Sequence, residues 1–507
     1  MLHSPNPLFM ALPEHQPPPL GRTIMRGSFV NLAGAAGKLL YPVYLLTITR
    51  LFGPSSVGGL LLALSVLDVL STLLIDGFET AILMLASPAI AERRDEVLYP
   101  VLADAVLLSA GLGALVAAAT GLARPLVFHW MPGNAGAAQA LIVVVWALPM
   151  IALINLAVAA TRAQMTMVYD ALVLGYVKPA ALIACAVVAR FAAKTPAALL
   201  ISYLAAHVVC VCVAVIVAAV RFSPSKLASA VRRPGTGPKL AAFSVSSGVG
   251  SALNALSTNV TVLLLGVGGV PAASIALYAT ALTVANNVKQ IRLLFSTAFA
   301  PAIARLHAAG NRRELSGSFN AVTGWGLAAT LPVVLVLAYF RRDWLEWFHP
   351  SYGADTAFVL ILLLLPILKC SIAGIAVGTT GYAKTIVANN VFAAALSAAL
   401  AWPLISHYGI VGAAVAAAAS TVALTIVELV EAGYLLSISY SLASVAVPGG
   451  AAVLAALCLA AGHNLGPSIG VRAVTAVASL VVYGAVVGAF RRFLVLDTYS
   501  AQPAGVS

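Results

Sequence analysis

Apolar stretches of about 20 residues follow one another along most of the chain, separated by short polar segments. As a helix, a stretch of that length crosses the roughly 30 Å hydrocarbon core of a bilayer. Runs such as 137–160 and 198–220 are continuously apolar, whereas the strands of a membrane β-barrel alternate over about 10 residues. The pattern therefore predicts an all-α, polytopic integral membrane protein. Its fourteen predicted transmembrane helices are 27–49, 57–86, 98–122, 138–161, 165–189, 198–220, 241–265, 275–301, 319–340, 356–378, 384–407, 409–431, 445–461 and 471–490.

Composition supports the membrane as the solvent of this protein. The 507 residues are 61% hydrophobic and only 9% charged, whereas a soluble domain is about 25% charged. That is too little charge to cover a water-exposed surface, so the composition excludes a soluble globular protein. The net charge of +12 comes from basic residues in short segments between apolar runs, which indicates a role in membrane topology and no nucleic-acid partner.

The predicted helices fall into two halves. We predict a disordered, proline-rich cytoplasmic tail (1–26), an N-lobe of six helices (27–220), a basic cytoplasmic linker (221–240) and a C-lobe of six helices (241–432). Two further helices (433–490) and a cytoplasmic tail (491–507) follow. With the N-terminus inside, sixteen Lys and Arg lie on the cytoplasmic side and seven on the other, which places both termini in the cytoplasm.

An internal repeat relates the two halves. Pro88-Ala89-Ile90-Ala91 recurs as Pro301-Ala302-Ile303-Ala304, at a shift of 213 residues. Six helices separate the copies, so the two halves are predicted to be parallel repeats related by an axis along the membrane normal. The same shift places Asp76 on Lys289 and Glu79 on Arg292, so an acidic pair has a basic pair as its counterpart.

Charged side chains inside the predicted helices are the candidate functional residues. Each Lys, Arg or Asp that faces lipid at a helix centre costs about 2.5–3.5 kcal/mol, so these side chains are expected to face a polar interior. We predict a hydrated cavity between the lobes; the alternative for its polar stripes is helix-packing contacts. The predicted cavity residues are Asn31, Lys38, Lys178, Asn254, Lys289, Arg292 and Lys369, and the predicted gate or ion-coupling residues are Asp68, Asp76, Glu79 and Asp170.

The acidic pair of helix 2 and the basic pair of helix 8 suggest a specific contact. If helices 2 and 8 meet across the pseudo-twofold axis, the two pairs could form a reversible gate on the cytoplasmic side. The alternative is a permanent structural ion pair. Both interpretations predict that Asp76 or Glu79 lies close to Lys289 or Arg292.

Motifs of soluble enzymes are missing from the sequence. Gly37-Lys38 lacks both the first glycine and the final Ser or Thr of a phosphate-binding loop. The histidines are scattered and the five cysteines lie in apolar runs, so no metal site and no cofactor are expected. Inter-helix segments are too short for a catalytic domain, and the chain is therefore predicted not to be an enzyme.

Several of these features together resemble a known family. Arg50-Leu51-Phe52-Gly53-Pro54, then Val57-Gly58, then a long second helix ending at Arg93-Arg94 resemble the opening of the O-antigen flippases. These are polysaccharide transporters of the multidrug, oligosaccharidyl-lipid and polysaccharide (MOP) superfamily. The fourteen-helix plan with two six-helix halves is also similar.

The resemblance implies a flippase in the cell inner membrane. Its substrate would be an undecaprenyl-diphosphate-linked oligosaccharide, moved from the cytoplasmic to the periplasmic leaflet by alternating access for the biosynthesis of O-antigen lipopolysaccharide or exopolysaccharide. The implied partners are this lipid-linked oligosaccharide, membrane lipids, and a polysaccharide polymerase with its export machinery. Two alternatives in the same superfamily stay open, a cation-coupled multidrug exporter and a lipid II flippase.

Overall fold

The computed structural model describes residues 37, 40–131, 133–164, 166–232, 237–463 and 468–490. Asn31, Lys38 and the two predicted tails lie outside this part of the chain. Within it, the secondary structure is helical with no strand. We number the transmembrane helices α1 Leu40–Phe52, α2 Pro54–Ala91, α3 Asp95–Leu122, α4 Ala135–Ala163, α5 Val168–Ala192, α6 Pro196–Arg221, α7 Gly237–Val267, α8 Ala272–Lys289 with its continuation Ile291–Ala308, α9 Arg312–Tyr339, α10 Ala357–Thr379, α11 383–408, α12 410–436, α13 Leu442–His463 and α14 Ile469–Ala489.

The prediction of a polytopic all-α membrane protein is confirmed. Each of the fourteen predicted helices has a helical counterpart among the described residues, and eleven helical segments are long and apolar enough to span a bilayer. One of the eleven, Lys384–Leu436, contains both α11 and α12. The described part of α1 is only 13 residues long, and α8 is interrupted at Gln290 among polar residues.

A single glycine separates α11 from α12. Gly409 has φ 55° and ψ −128°, a backbone conformation that side chains with a Cβ rarely adopt. Beyond it, Gly412 packs against the carbonyl of Leu404, so the chain turns back on itself within one helical turn. The sequence boundary predicted between 407 and 409 is therefore correct.

Irregular turns recur at matching places in the two halves. A π-helical turn, Thr72–Asp76, interrupts α2, and α8 breaks at Gln290, close to the position that the 213-residue shift predicts. A short helix, Arg124–Trp130, precedes α4, and another, Arg341–Phe348, precedes α10. These shared irregularities support the predicted internal repeat, and the breaks in α2 and α8 both lie at embedded charges.

Close helix packing at α2 joins the two halves. Gly58 on α2 lies directly against the backbone of Ala272 on α8, and Gly77 lies against the carbonyl of Ser244 on α7. Small residues let membrane helices approach this closely because lipid supplies no hydrophobic driving force between them. Helices α2, α7 and α8 therefore form the junction between the first six helices and the next six.

Polar contacts between connecting segments agree with the predicted topology. On the face predicted to be periplasmic, Arg50 donates hydrogen bonds to the backbone carbonyls of Trp347 (2.7 Å) and Glu346 (3.0 Å), and Arg472 forms an ion pair with Asp343 at 2.6 Å. These segments come from α1, the helix after α9, and α14. The assignment of this face to the periplasm stays a prediction.

The basic linker on the opposite face contains a helix that the sequence did not predict. Residues Pro224–Val231 are helical, and α7 begins at Gly237, four residues earlier than expected. Lys226 forms an ion pair with Asp95 at the start of α3, and this hydrogen bond raises the pKa of Lys226. The linker is thus attached to the loop between α2 and α3.

Candidate functional site

Two polar cavities adjoin inside the helical bundle. The first, here named the cationic cavity, measures about 640 Å³ and is lined by α7, α8, α10, α11 and α12. The second, the mixed-charge cavity, measures about 450 Å³ and is lined by α1, α2 and α4 to α8. Leu282 and Asn286 of α8 line both cavities. The charged residues of these two linings therefore face polar space, which consists of two adjoining cavities and not the single one predicted.

Arg292 and the break in α10 form one side of the cationic cavity. Helix α10 is interrupted after Leu368, which leaves backbone carbonyls without helical partners. The Arg292 guanidinium donates hydrogen bonds from Nη1 to the carbonyls of Lys369 (2.8 Å) and Ser371 (3.2 Å). Arg292 is thereby fixed in place, although it has no carboxylate partner among the described ion pairs.

Lys369 provides a second positive charge and Glu428 the counter-charge. The Lys369 Nζ atom lies 3.1 Å from both carboxylate oxygens of Glu428 on α12. Both side chains are largely buried, with exposed fractions of 17% and 13%. This ion pair joins α10 to α12 and leaves Arg292 without a compensating charge of its own.

Lys289 is the third cation of this cavity. It lines the wall on α8, and its charged neighbours are two further cations, Arg292 and Lys369. None of the ion pairs among the described residues includes Lys289. Three cations thus face one acid, Glu428, which leaves two uncompensated positive charges inside the bundle. Such a site is suited to an anion with more than one charge.

The polar stripe of α7 lies against the same cavity. Ser251, Asn254, Thr258 and Thr261 line it, so hydroxyl and amide groups are available beside the three cations. Asn254, the predicted cavity residue of this stripe, is exposed to the cavity.

The mixed-charge cavity contains two acids and one base. The Asp68 carboxylate accepts a hydrogen bond of 2.8 Å from the Asn259 amide on α7, and Lys178 is its cationic neighbour. Asp76 lines the same cavity and accepts a hydrogen bond from the Ser251 hydroxyl. With two carboxylates and one ammonium group, the described residues of this lining have one uncompensated negative charge.

The predicted contact between the acidic pair and the basic pair does not form. Glu79 makes an ion pair of 2.5 Å with Arg162 at the end of α4, and the described ion pairs include none between helices α2 and α8. Helices 2 and 8 do meet, but they do so near Gly58, whereas Asp76 and Lys289 line different cavities. In this conformation the expectation of a direct charge contact is wrong.

Thermal unfolding can test the observed pairing. We expect Glu79→Ala and Arg162→Ala each to destabilise the protein by roughly 1.5–3 kcal/mol, because each leaves a largely buried charge without its hydrogen-bond partner. A double-mutant cycle in detergent should show coupling between these two positions. The same cycle for Asp76 and Lys289 should show additive effects, and coupling there would contradict the arrangement described above.

The predicted site residues divide into three groups. Seven line one of the two cavities: Lys178, Asn254, Lys289, Arg292, Lys369, Asp68 and Asp76. Asp170 lies at the start of α5 and Glu79 faces Arg162, and neither lines either of these two cavities. Asn31 and Lys38 lie outside the described residues, so their roles stay predictions.

The sequence interpretation missed several lining residues. Asn155 on α4 and Tyr203 on α6 line the mixed-charge cavity, and Asn286 lines both cavities. Asn286 lies on the polar face of helix 8 that the sequence shows, whereas single polar residues such as Asn155 and Tyr203 have no periodic signal. Glu428 lies within the predicted helix 409–431 and was not among the predicted site residues.

Solved structures of transporters share the fold of this chain. No protein-family model and no curated protein matches the chain. Among solved structures, the chain is similar to the lipid II flippase MurJ in an inward closed conformation, with TM-score 0.74 and 11% identity over 92% of this chain and 99% of that one. It is also similar to an inward-facing multidrug resistance MATE transporter of the MOP superfamily, with TM-score 0.58 and 17% identity over 80% and 94% of the two chains.

A third structural neighbour is a MOP superfamily transporter from Pyrococcus furiosus, described as having a binding pocket of reverse polarity (TM-score 0.56, 15% identity, 82% of this chain and 96% of that one). At these identities the likeness shows the fold alone. The chain is a multi-pass membrane protein with the fold of MOP superfamily transporters, and its substrate has to be inferred from its own residues.

Proposed function

We propose that the chain is a flippase that moves an undecaprenyl-diphosphate-linked oligosaccharide from the cytoplasmic to the periplasmic leaflet of the inner membrane, for surface polysaccharide biosynthesis. The observation that carries this proposal is the charge of the cationic cavity. Lys289, Arg292 and Lys369 face it together, and Glu428 is the one acid among the described residues of its lining. A diphosphate is a compact anion with several acceptor oxygens, which matches such a cluster.

The energetics of the bilayer favour this assignment. An uncompensated charge at bilayer depth is retained only where it has a function or a partner, and Lys289 has no partner among the described ion pairs. A diphosphate and its sugars cannot cross hydrocarbon unaided, and a polar cavity provides them with hydrogen bonds on the way. The lipid tail can stay in the bilayer throughout.

The membrane potential supplies a driving force for this direction of transport. Moving an anion out of a cell with a negative interior is favoured by about 2.3 kcal/mol per charge per 100 mV. The MATE and MurJ structures show that the fold is compatible with transport, and alternating access between two repeats is the mechanism that this architecture suggests.

Reconstitution tests the proposal. Purified protein in liposomes should expose a fluorescent undecaprenyl-diphosphate oligosaccharide to an external quencher at least tenfold faster than protein-free liposomes do. An inside-negative potassium diffusion potential should accelerate this export, because negative charge moves outward. Exposure at the rate of empty liposomes, with and without the potential, would contradict the proposal.

A lipid II flippase is the second candidate, favoured by the structural similarity to MurJ over 99% of that chain. The same assay with fluorescent lipid II distinguishes the two, since the preferred lipid is transported faster. A cation-coupled multidrug exporter would be favoured by the acids of the mixed-charge cavity, but the three cations next to it disfavour a cationic drug. Transport of a cationic dye in place of either lipid would indicate this third function.

A further inference from the structure

The mixed-charge cavity continues directly from the cluster of cations. Asn286 lines both cavities, and Lys289 follows it on α8 by three residues, about 4.5 Å along the helix axis. A group bonded to an anion at Lys289 therefore reaches the mixed-charge cavity without leaving the polar interior. In a lipid-linked oligosaccharide, the diphosphate is bonded to the lipid on one side and to the first sugar on the other.

The size and lining of this cavity suit a sugar better than a bare ion. Its volume of about 450 Å³ lies within the range of small-molecule sites and far exceeds the roughly 30 Å³ of one water molecule. Among the described residues, no group of three or more His, Cys, Asp or Glu could hold a metal ion. Asn155, Asn259 and Ser65 present amide and hydroxyl groups, which both donate and accept hydrogen bonds, as sugar hydroxyls require.

The charges of the lining restrict which ligands the mixed-charge cavity can accept. Lys178 is the cationic neighbour of Asp68, so that pair is internally compensated. The cationic neighbour of Asp76 is Arg162, which already forms an ion pair with Glu79. Asp76 therefore contributes a negative charge that no basic residue compensates among the described residues of the cavity.

We infer that the mixed-charge cavity receives the sugars next to the diphosphate and selects non-acidic sugars against sugars that carry a carboxylate. Neutral sugars donate hydroxyl hydrogen bonds to Asp76 and Asp68, whereas a uronic acid brings a like charge into a site of restricted solvation. Like charges in such a site are an effective device for rejecting a wrong ligand. This inference rests on the proposed function, since the diphosphate positions the sugars.

The test uses three synthetic lipids with the full-length protein in detergent. They are undecaprenyl diphosphate alone, the same lipid with an N-acetylglucosamine–glucose disaccharide, and the same lipid with glucuronic acid in place of the glucose. The last two differ only by a carboxylate in place of a hydroxymethyl group. We expect the glucose lipid to bind at least tenfold more tightly than the glucuronic acid lipid. Equal binding, or tighter binding of the acidic lipid, would overturn the inference.

Three variants locate the effect. Asp76→Asn keeps the size of the side chain and removes its charge, and should reduce the preference to less than threefold. Asp355→Asn removes a charge from an exposed loop residue outside both cavities and should leave the preference unchanged. A preference that persists in full in both Asp76→Asn and Asp68→Asn would also overturn the inference.

The lipid without sugars separates this inference from the proposed function. If it binds while the two glycolipids bind equally, the diphosphate site stands and the glycan selectivity is wrong. If none of the three lipids binds the wild-type protein, the proposed function itself is contradicted. In that case the inference falls with it.

Discussion

Substitution of Lys289 by Ala is expected to abolish most transport while the protein still inserts and folds. Removal of one charge from a desolvated ion pair with a ligand costs about 2–5 kcal/mol, which corresponds to a loss of roughly 30-fold or more in affinity. Insertion is not impaired, because the variant makes α8 more apolar. The measurements are surface polysaccharide in a complementation strain and lipid exposure in liposomes, with the amount of protein in the membrane determined alongside.

Three further variants make this experiment specific. Lys289→Arg keeps the positive charge and should retain most of the activity, whereas Arg292→Ala should lose it as Lys289→Ala does. Lys384→Ala removes an exposed lysine from the first turn of α11, outside both cavities, and should behave like the wild type. Normal polysaccharide in both Lys289→Ala and Arg292→Ala would refute the assignment of the anion site.

Substitution of Gly58 by Leu is expected to separate α2 from α8. A Cβ atom at Gly58 would lie 1.7 Å from the carbonyl oxygen of Ala272, a distance that no real side chain tolerates. Both helices have to move apart, and such overpacking costs about 1–3 kcal/mol or more. The variant should therefore lose thermal stability. It should also lose transport if transport requires the adjoining ends of α2 and α8 to approach each other.

Spin labels can measure this separation directly. Labels at Ser55 and Ser274, near the adjoining ends of α2 and α8, should show a longer distance in Gly58→Leu than in the wild-type background. Gly111→Leu is the matched control, because Gly111 is an exposed residue of α3 and a Cβ atom there meets nothing within 4 Å. An unchanged distance in Gly58→Leu would contradict the expected separation, and wild-type transport at a longer distance would show that the close contact is dispensable.

Helix positions were largely predictable because one physical requirement controls them. Every residue that faces lipid must be apolar, so a helix that crosses the bilayer leaves a continuous apolar run in the sequence. The boundary at Gly409 and the fourteen helical segments follow from this rule. The helix Pro224–Val231 was missed, because a short amphipathic segment outside the hydrocarbon has no such run.

Seven of the predicted site residues line one of the two cavities, but the charge partners were not predicted correctly. Glu79 was matched with Arg292 by internal symmetry, whereas it pairs with Arg162, 83 residues away. A side chain on one face of a helix can reach any of several neighbouring helices. Helical periodicity specifies the face and leaves the neighbour open.

The sequence by itself determined the membrane, the approximate positions of the fourteen predicted helices and which residues are too polar for lipid, since the cost of placing a charge in hydrocarbon acts on each residue separately. Only the tertiary structure decided that Lys289, Arg292 and Lys369 share one cavity while Asp68, Asp76 and Lys178 share another. That division depends on how α2, α7 and α8 pack through small residues. Packing distances of this kind are properties of helix pairs and leave no periodic pattern in either helix.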